Sequence, residues 1–455
     1  MPVSKLLADL NEIVGEANLI GNPDQLKIYS VDGKRPKVLV SPGTIDEVSK
    51  IVAYANLNHL AIVPMGSGTK IGMGGIPRKV DLILSTGRLN RITDADCDNL
   101  TLSVESGIQL SEVQKSLTKV GRGYFLPLDP PFTEKATIGG IVATNSSGPR
   151  RLMYGTARDL IIGIRSVFSN GDIVVSGGKT VKNVSGYDMN KLMIGSFGTL
   201  GIICEVTFKL LPLPEKEATL WISFGSIGEA NGFTREMVHS QLTPASMDIL
   251  NATAVRKMKC SVPMLQAENY LVAVALEGVA ESIERQVSEV SDRGKKHGAL
   301  ETVPVNSEKH RAFWIGVRDS AQGFAEADPN VISLRSNFLI SKSGEMLESY
   351  ERIARGMGMD CALICRSGSG ILNTSVLVGK KLRSKSDILV RLVGELASEA
   401  VKNGGNLTVE SCPLSIKKKV SVWGDPRSDY PIMSRLKKEM DPRGILNPGR
   451  FVGGI

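Results

Sequence analysis

Residues 37–69 constrain the fold more than any other stretch, because strand, helix, strand and glycine-rich loop follow one another without a break. Val38-Leu39-Val40 is apolar and mostly β-branched, and Pro42-Gly43 interrupts the chain after it. Thr44 with Glu47 three residues on is a capping-box signature. The helix it starts is predicted to run to about residue 57, with Val48, Ile51, Val52 and Ala55 on one face. Ala61-Ile62-Val63 predicts a short buried strand. A βαβ unit of this kind predicts a parallel pair of strands.

Further strands are predicted over 81–84 and 100–104, and a helix over 110–120. Residues 160–210 read as all-β. Within them, 161–168 and 172–175 flank Ser169-Asn170-Gly171, a hairpin signal. A last strand over 202–211 ends at Pro212 and Pro214, and the charged run Glu215-Lys216-Glu217 marks a boundary. Beyond it, strand-like runs over 271–275, 332–339, 361–365, 370–378 and 406–409 alternate with amphipathic helices over 282–297, 344–357 and 384–403. That alternation predicts an antiparallel sheet with helices on one face. A helix near 434–440 precedes a segment in which Pro442, Gly444, Pro448 and Gly449 forbid regular structure and specify a fixed irregular tail. The expected class is α+β, divided into 1–215, 216–422 and 423–455.

Three loops carry the chemistry. Pro64-Met65-Gly66-Ser67-Gly68-Thr69-Lys70 leaves the carboxyl end of a predicted parallel strand, where glycines let successive backbone N–H groups line an anion pocket. It is neither the standard dinucleotide fingerprint nor a P-loop. Leu126-Pro127-Leu128-Asp129 leads into Thr137-Ile138-Gly139-Gly140 and on to Asn145-Ser146-Ser147-Gly148. Small side chains there keep the backbone open to a flat, extended ligand, while Thr137, Asn145 and Ser147 offer hydrogen bonds. Asn183-Val184-Ser185-Gly186-Tyr187-Asp188, then Gly195 to Ile203 with Gly201 between, form the third.

The chain has 455 residues, 42% of them hydrophobic and 22% charged, which excludes a disordered or fibrous protein. No apolar run is long enough to span a membrane. Asp9, Glu12 and Glu16 interrupt the N-terminus at helical spacing, so it predicts an amphipathic helix and not a signal peptide. The cytoplasm is the expected location, or the inner face of the membrane through partners. The net charge of +8 lacks the clustered, aromatic-interleaved pattern of a nucleic-acid binder. Six cysteines show no iron–sulfur spacing, and four scattered histidines make no metal set.

Taken in this order, the loops and the tail over 442–450 resemble the PCMH-type FAD-binding domain of the vanillyl-alcohol oxidase and p-cresol methylhydroxylase superfamily. Within it the chain looks most like flavoprotein subunits of bacterial glycolate oxidase and D-lactate dehydrogenase. The resemblance implies non-covalent FAD lying between two α/β subdomains, an α+β cap domain, and a tail returning to the flavin. It implies that Pro64, Met65, Gly66, Ser67, Gly68 and Thr69, with Thr137, Ile138, Gly139 and Gly140, cradle the pyrophosphate. Pro127 and Asp129 belong to the same FAD-binding stretch. Asn145, Ser147 and Gly148 lie near the ribityl chain or ring. Gly201 belongs to the same cofactor-binding set, Ile203 falls towards the adenine end, and Asn447 returns to the flavin.

The chain also departs from that pattern. Catalytic relatives carry two histidines on a cap strand and a Glu-His pair further on, which together hold a metal. Here those stretches are Arg366-Ser367-Gly368-Ser369-Gly370-Ile371-Leu372-Asn373 and Val409-Glu410-Ser411-Cys412. In this the chain resembles the smaller FAD-binding subunit of glycolate oxidase complexes. Relatives place an arginine facing the substrate carboxylate near Phe313-Trp314-Ile315-Gly316-Val317-Arg318, and Arg335 offers a second cation. Tyr187 and Glu410 are the candidates for a catalytic base. The resemblance implies an FAD-dependent dehydrogenase of a small 2-hydroxyacid, or a subunit of one, partnered by a second flavoprotein subunit and an iron–sulfur protein. The alternative is a non-catalytic FAD-binding electron relay or scaffold subunit.

Overall fold

The computed structural model describes residues 2–121, 123–178, 187–258, 269–305, 307–379 and 382–455. They form two compact units. One comprises Met1–Ser147, Thr156–Leu213 and Asp425–Ile455; the other comprises Gly148–Gly155 and Pro214–Gly424.

The first unit opens with the amphipathic helix Val3–Val14, which buries Leu6, Leu10 and Val14 at four-residue spacing. Its first sheet contains β1 (Leu19–Ile20), β2 (Val38–Val40), β3 (Ile62–Met65) and β4 (Leu82–Ser85), in the order β1-β2-β4-β3. The helix Ile45–Leu57 lies between β2 and β3 in sequence. Thr44 caps it, its hydroxyl accepting from the Glu47 amide at 3.2 Å, and Val48, Ile51, Val52 and Ala55 are the buried face. β2 and β3 run parallel as expected but are not neighbours: β4 lies between them, parallel to both. A crossover fixes the direction of the next strand, not how many positions it skips. The apolar β4 takes the central place.

The second sheet of this unit is antiparallel, with β5 (Ile92–Asp96), β6 (Thr101–Glu105), β8 (Ile161–Val167), β9 (Ile173–Gly177) and β10 (Ile202–Lys209) in the order β5-β6-β10-β8-β9. Two short strands, β7 (Tyr124–Phe125) and β11 (Leu211–Pro212), pair separately. The Asn-Gly hairpin forms between β8 and β9, with Gly171 at φ 95°. The stretch after it is not all-β, because the helix Met189–Met193 intervenes before β10. Asn183, Val184, Ser185 and Gly186 of the third loop lie outside the described residues. The tail follows the helix Tyr430–Met440 and joins the edge of β3. The Ile62 amide donates to the Ile445 carbonyl, and the Asn447 amide to the Ile62 carbonyl, both at 2.8 Å.

The second unit is built on one antiparallel sheet of eight strands. They are β12 (Lys216–Phe224), β13 (Ser246–Leu250), β14 (Tyr270–Gly278), β15 (Glu301–Val305), β16 (Ile332–Asn337), β17 (Asp360–Arg366), β18 (Ile371–Leu377) and β19 (Asn406–Ser411). Their order is β15-β12-β14-β13-β17-β18-β16-β19. Helices Ile227–Val238, Ala280–Lys296, Ser343–Gly356 and Leu382–Lys402 cover one face and close the larger core. Helices on one face only was the expectation, and the structure corrects it. Ala254, Phe313 and Phe324, from three further helices, pack on the opposite face against Trp221, Leu271 and Ile364. The strands at that end are apolar on both sides, so both sides need covering. No described helix is long and apolar enough to cross a membrane.

Candidate functional site

The candidate site grows out of the carboxyl end of β3. Pro64 and Met65 finish the strand, and Gly66, Ser67, Gly68 and Thr69 line a cavity of about 910 Å³ including its open mouth. Gly68 has φ 73°, a conformation glycine adopts without strain. Within the described residues, the backbone amides of Gly66, Ser67, Gly68 and Thr69 donate no hydrogen bond. The chain then tightens, with the Ile71 amide donating to Gly68 at 3.0 Å. Four consecutive uncommitted amides on a cavity wall make a nest for an anion.

The second loop packs directly on the first. A Cβ on Gly66 would lie 2.0 Å from Thr137 Oγ1. Thr137, Gly139 and Gly140 line the cavity at the start of the helix Ile138–Thr144. The Ile138 and Gly139 amides are committed to the carbonyls of Ile108 at 2.9 Å and Ser106 at 2.7 Å. A Cβ on Gly139 would meet Ser106 Cβ at 2.8 Å. Gly139 therefore lets the helix approach the turn after β6; its missing side chain does not face the cavity. Ile138 is fully buried in the apolar core. Asn145 closes the helix in the left-handed region at φ 45°. Pro127, Asp129, Asn145, Ser147 and Gly148 are not among the lining residues, and Gly148 groups with the second unit.

Gly201, Ile203 and Asn447 also line the cavity, and so does Phe197. Phe197 and Asn447 hold φ values of 55° and 46°, uncommon for residues other than glycine. Asn447 Nδ2 donates to the Phe197 carbonyl at 2.6 Å, and the Phe197 amide donates to Ala143 at 2.8 Å. Three buried side-chain oxygens on the lining residues, Ser106 Oγ, Ser146 Oγ and Asn447 Oδ1, have no hydrogen-bond partner among the described residues. Buried polar atoms are nearly always paired. Three orphans and a row of open amides around one cavity therefore fit a ligand with hydroxyls and phosphates.

Ser106, Ser146, Phe197 and Arg450 also line the cavity and were missed. For Ser106 a signal existed: Val104-Glu105-Ser106-Gly107 is a strand running into small residues, like the first loop. A Cβ on Gly107 would lie 1.8 Å from the Thr86 carbonyl. Arg450 left no local signal. Its guanidinium, 2% exposed as a residue, donates to the carbonyls of Ile71, Met73 and Gly75 and pairs with Asp32 at 3.1 Å. The irregular tail thereby holds the chain that follows the first loop.

The three catalytic candidates fare differently. Tyr187, in the first unit, is 95% exposed. Arg318 ends the helix Ser307–Arg318 in the second unit, and its guanidinium is committed to Asp319 at 2.5 and 3.1 Å. Glu410 sits on β19 with Oε1 4.0 Å from Arg335 Nη1. Burial lowers the Arg335 pKa, opposed by Glu410 and reinforced by Arg366. Among the described residues, no three His, Cys, Asp or Glu side chains gather as a metal site.

Comparison with known proteins agrees with this geometry. Residues 36–177 match the model of the FAD binding domain, and residues 213–451 match that of the C-terminal domain of FAD linked oxidases. The glycolate oxidase subunit GlcD of Bacillus subtilis is 28% identical over 97% of this chain and 95% of its own. A D-lactate dehydrogenase of Archaeoglobus fulgidus is 28% identical over 91% of each. The structure of p-cresol methylhydroxylase with substrate bound superposes with a TM-score of 0.78 at 18% identity, covering 98% of this chain and 96% of that one. That likeness shows the fold. With a loop that leaves four successive amides open on the cavity and both halves of the chain matched, the protein belongs to the FAD-linked oxidases and is an FAD-dependent oxidoreductase of the hydroxyacid dehydrogenase type.

Proposed function

We propose that the protein oxidises a small 2-hydroxyacid, glycolate or D-lactate, as one subunit of a complex that passes electrons to a protein partner. The observation that carries the FAD part is the row of uncommitted amides at Gly66–Thr69 beside three orphaned polar atoms. Those amides suit the pyrophosphate. Thr137 and Gly140 close the same wall, Ser106, Ser146 and Asn447 suit the ribityl hydroxyls, and Ile203 offers an apolar surface. When bound, the flavin supplies hydride acceptance and electron release; the protein supplies position and field. Support for the substrate comes from the relatives, a glycolate oxidase subunit and D-lactate dehydrogenases.

A second reading, an FAD-holding relay subunit, is favoured by Arg318. The arginine proposed to meet a substrate carboxylate already pairs with Asp319. One experiment separates the two. The purified chain is taken anaerobically and mixed with glycolate or D-lactate while its visible spectrum is recorded. The enzyme reading expects the flavin band to bleach. A yellow protein that stays oxidised with both acids supports the relay, and a chain that refuses flavin sinks both.

A further inference from the structure

The second unit holds a largely buried ionic cluster. Glu217 on β12 and Glu277 on β14 stand directly opposite each other. Trp221 and Ala273, an even number of residues further along the same two strands, belong to the smaller core. Strand alternation therefore turns both carboxylates to that face, away from the four covering helices. Like charges paired across strands repel. One guanidinium meets both: Arg150 Nε donates to Glu277 at 2.8 Å, and Nη2 to Glu217 at 2.7 Å. The Tyr154 hydroxyl donates to the other Glu277 oxygen at 2.7 Å. Arg150 and Tyr154 belong to the arm Gly148–Gly155, whose Leu152 packs on the larger core.

His310, on the helix Ser307–Arg318, approaches Glu217 with Nε2 at 3.5 Å. Its Nδ1 lies 2.7 Å from the Thr219 hydroxyl, which accepts from Trp314 Nε1 at 2.8 Å. Burial lowers the His310 pKa, opposed by Glu217 and reinforced by Arg150 and Arg311, so the imidazole stays neutral. Lys216, next to Glu217 in the strand, points to the other face and pairs with Glu284 at 2.8 Å. Two carboxylates thus share one guanidinium, and the cluster carries a negative charge in excess. Burial raises the Glu277 pKa above its ordinary 4.5, opposed by Arg150 and Tyr154 and reinforced by Glu217. Glu277, buried where Glu217 is half-buried, is the group that takes a proton as the pH falls.

We propose that a proton and Arg150 compete for the Glu277 carboxylate, which makes the arm Gly148–Gly155 a pH-operated latch positioning Ser146 on the flavin cavity. Arg150 needs the ionised carboxylate. A proton from solvent neutralises Glu277 and leaves Arg150 with Glu217 alone. The grip is full above the Glu277 pKa and is lost as pH falls through it. The two effects are reciprocal: what holds the arm down also holds the proton off. The arm begins two residues after Ser146, whose Oγ is buried on a cavity-lining residue without a partner among the described residues. Loosening the arm frees Ser146, so flavin is held less tightly in acid. Arg150 is thus a positioning residue, and its effect on flavin rests on the reading of that cavity as the FAD site.

The test measures FAD affinity of the full chain by fluorescence between about pH 8 and about pH 5 at constant ionic strength. Wild type should lose at least about fivefold in affinity on acidification. Glu277→Gln, which fixes the side chain in its uncharged form, should be weaker by about the same factor at the upper pH and should meet wild type at the lower one. Trypsin reads the latch without flavin: in the flavin-free chain at the upper pH it should cut after Arg150 and Arg151 faster in Glu277→Gln than in wild type. Wild-type FAD affinity in Glu277→Gln at the upper pH overturns the proposal, as does a gap that persists undiminished at the lower pH. His310→Gln should keep the pH step; its loss there would place the proton on His310 and overturn the assignment to Glu277. If Glu277→Gln does not fold, Arg150→Gln decides: weak affinity without a pH step is expected, and a wild-type step overturns the latch. A chain that refuses FAD at every pH, yet is cut faster in Glu277→Gln, sinks the cavity reading and keeps the latch. Equal cutting with normal FAD binding does the reverse.

Discussion

Gly139 shows how a single missing side chain can be assigned to the wrong neighbour. In the sequence it sits among small residues and looks like room for a ligand; in the fold it faces Ser106, and an added Cβ would lie only 2.8 Å from Ser106 Cβ. Alanine at this position gains about 0.5–1 kcal/mol of helix propensity. Overpacking a closed contact costs about 1–3 kcal/mol, so the contact wins. Gly139→Ala should therefore lower stability by about 1–2 kcal/mol in urea unfolding of the flavin-free chain. A loss of flavin with unchanged apo stability would return Gly139 to the ligand. Arg450 lies at the other extreme. Arg450→Met strips three carbonyls and Asp32 of their partner, and the loss should be about 3 kcal/mol, accompanied by weaker flavin retention. Absorbance at the flavin band after gel filtration reads the second effect. The loop that lines the site was legible because glycine spacing is a local signal. The partners of Gly139 and Arg450 were not, since both depend on residues dozens to hundreds of positions away.

At the scale of elements, strands were legible where apolar alternation is dense and lost where charge or polarity covers the signal. Lys216 and Glu217 read as part of a domain boundary and not as strand, yet they open the nine-residue strand β12, whose first three residues are exposed or half-buried while its last six are buried. β13 was missed because Ser246 and Asp248 break its apolar run, although all five of its residues are buried. In the first sheet the decisive polar residue is Asp81, 1% exposed at the entry to β4. Its carboxylate accepts from the Ala61 amide at 2.8 Å and meets Lys79 at 2.6 Å and Lys37 at 2.9 Å, tying together the segments that begin β2, β3 and β4. Burial pushes its pKa up, but Lys79, the Ala61 amide and Lys37 together outweigh it and the net shift is downward. A carboxylate lowered on folding adds stability above its unfolded value, near about pH 4, and loses it as pH falls through the folded value. Asp81→Asn should thus cost about 2 kcal/mol at neutral pH. The gap between variant and wild type should close progressively below about pH 4. Urea unfolding at several pH values reads it, and a gap that is constant across that range would show that charge is not what Asp81 contributes.

At the scale of the whole molecule, the chain order and the packing order differ. The first unit is assembled from three separated pieces and the second from two, and each hydrophobic core draws its residues from one unit only. Nothing in hydropathy marks Gly148–Gly155 for the second unit, because a short segment takes its allegiance from contacts such as Arg150 to Glu277 at 2.8 Å and to Glu217 at 2.7 Å. The last 31 residues are a different case, since proline and glycine density already announced a fixed shape. They supply Ile445 and Leu446 to a core that also holds β2, β3 and β4, place Asn447 on the cavity wall, and carry Arg450. The three tryptophans, Trp221, Trp314 and Trp423, all lie in the second unit. A chain ending at Gly424 should therefore keep the blue-shifted tryptophan emission and cooperative urea unfolding of the second unit, whose cores it leaves intact. It should hold no flavin, because the edge of β3 loses its partner and the loop at Gly66–Thr69 loses the support that Arg450 gives the residues after it. Flavin retained at the full-length level would show that the tail is dispensable to the site. Red-shifted emission would show that the second unit's cores do not suffice to hold it folded.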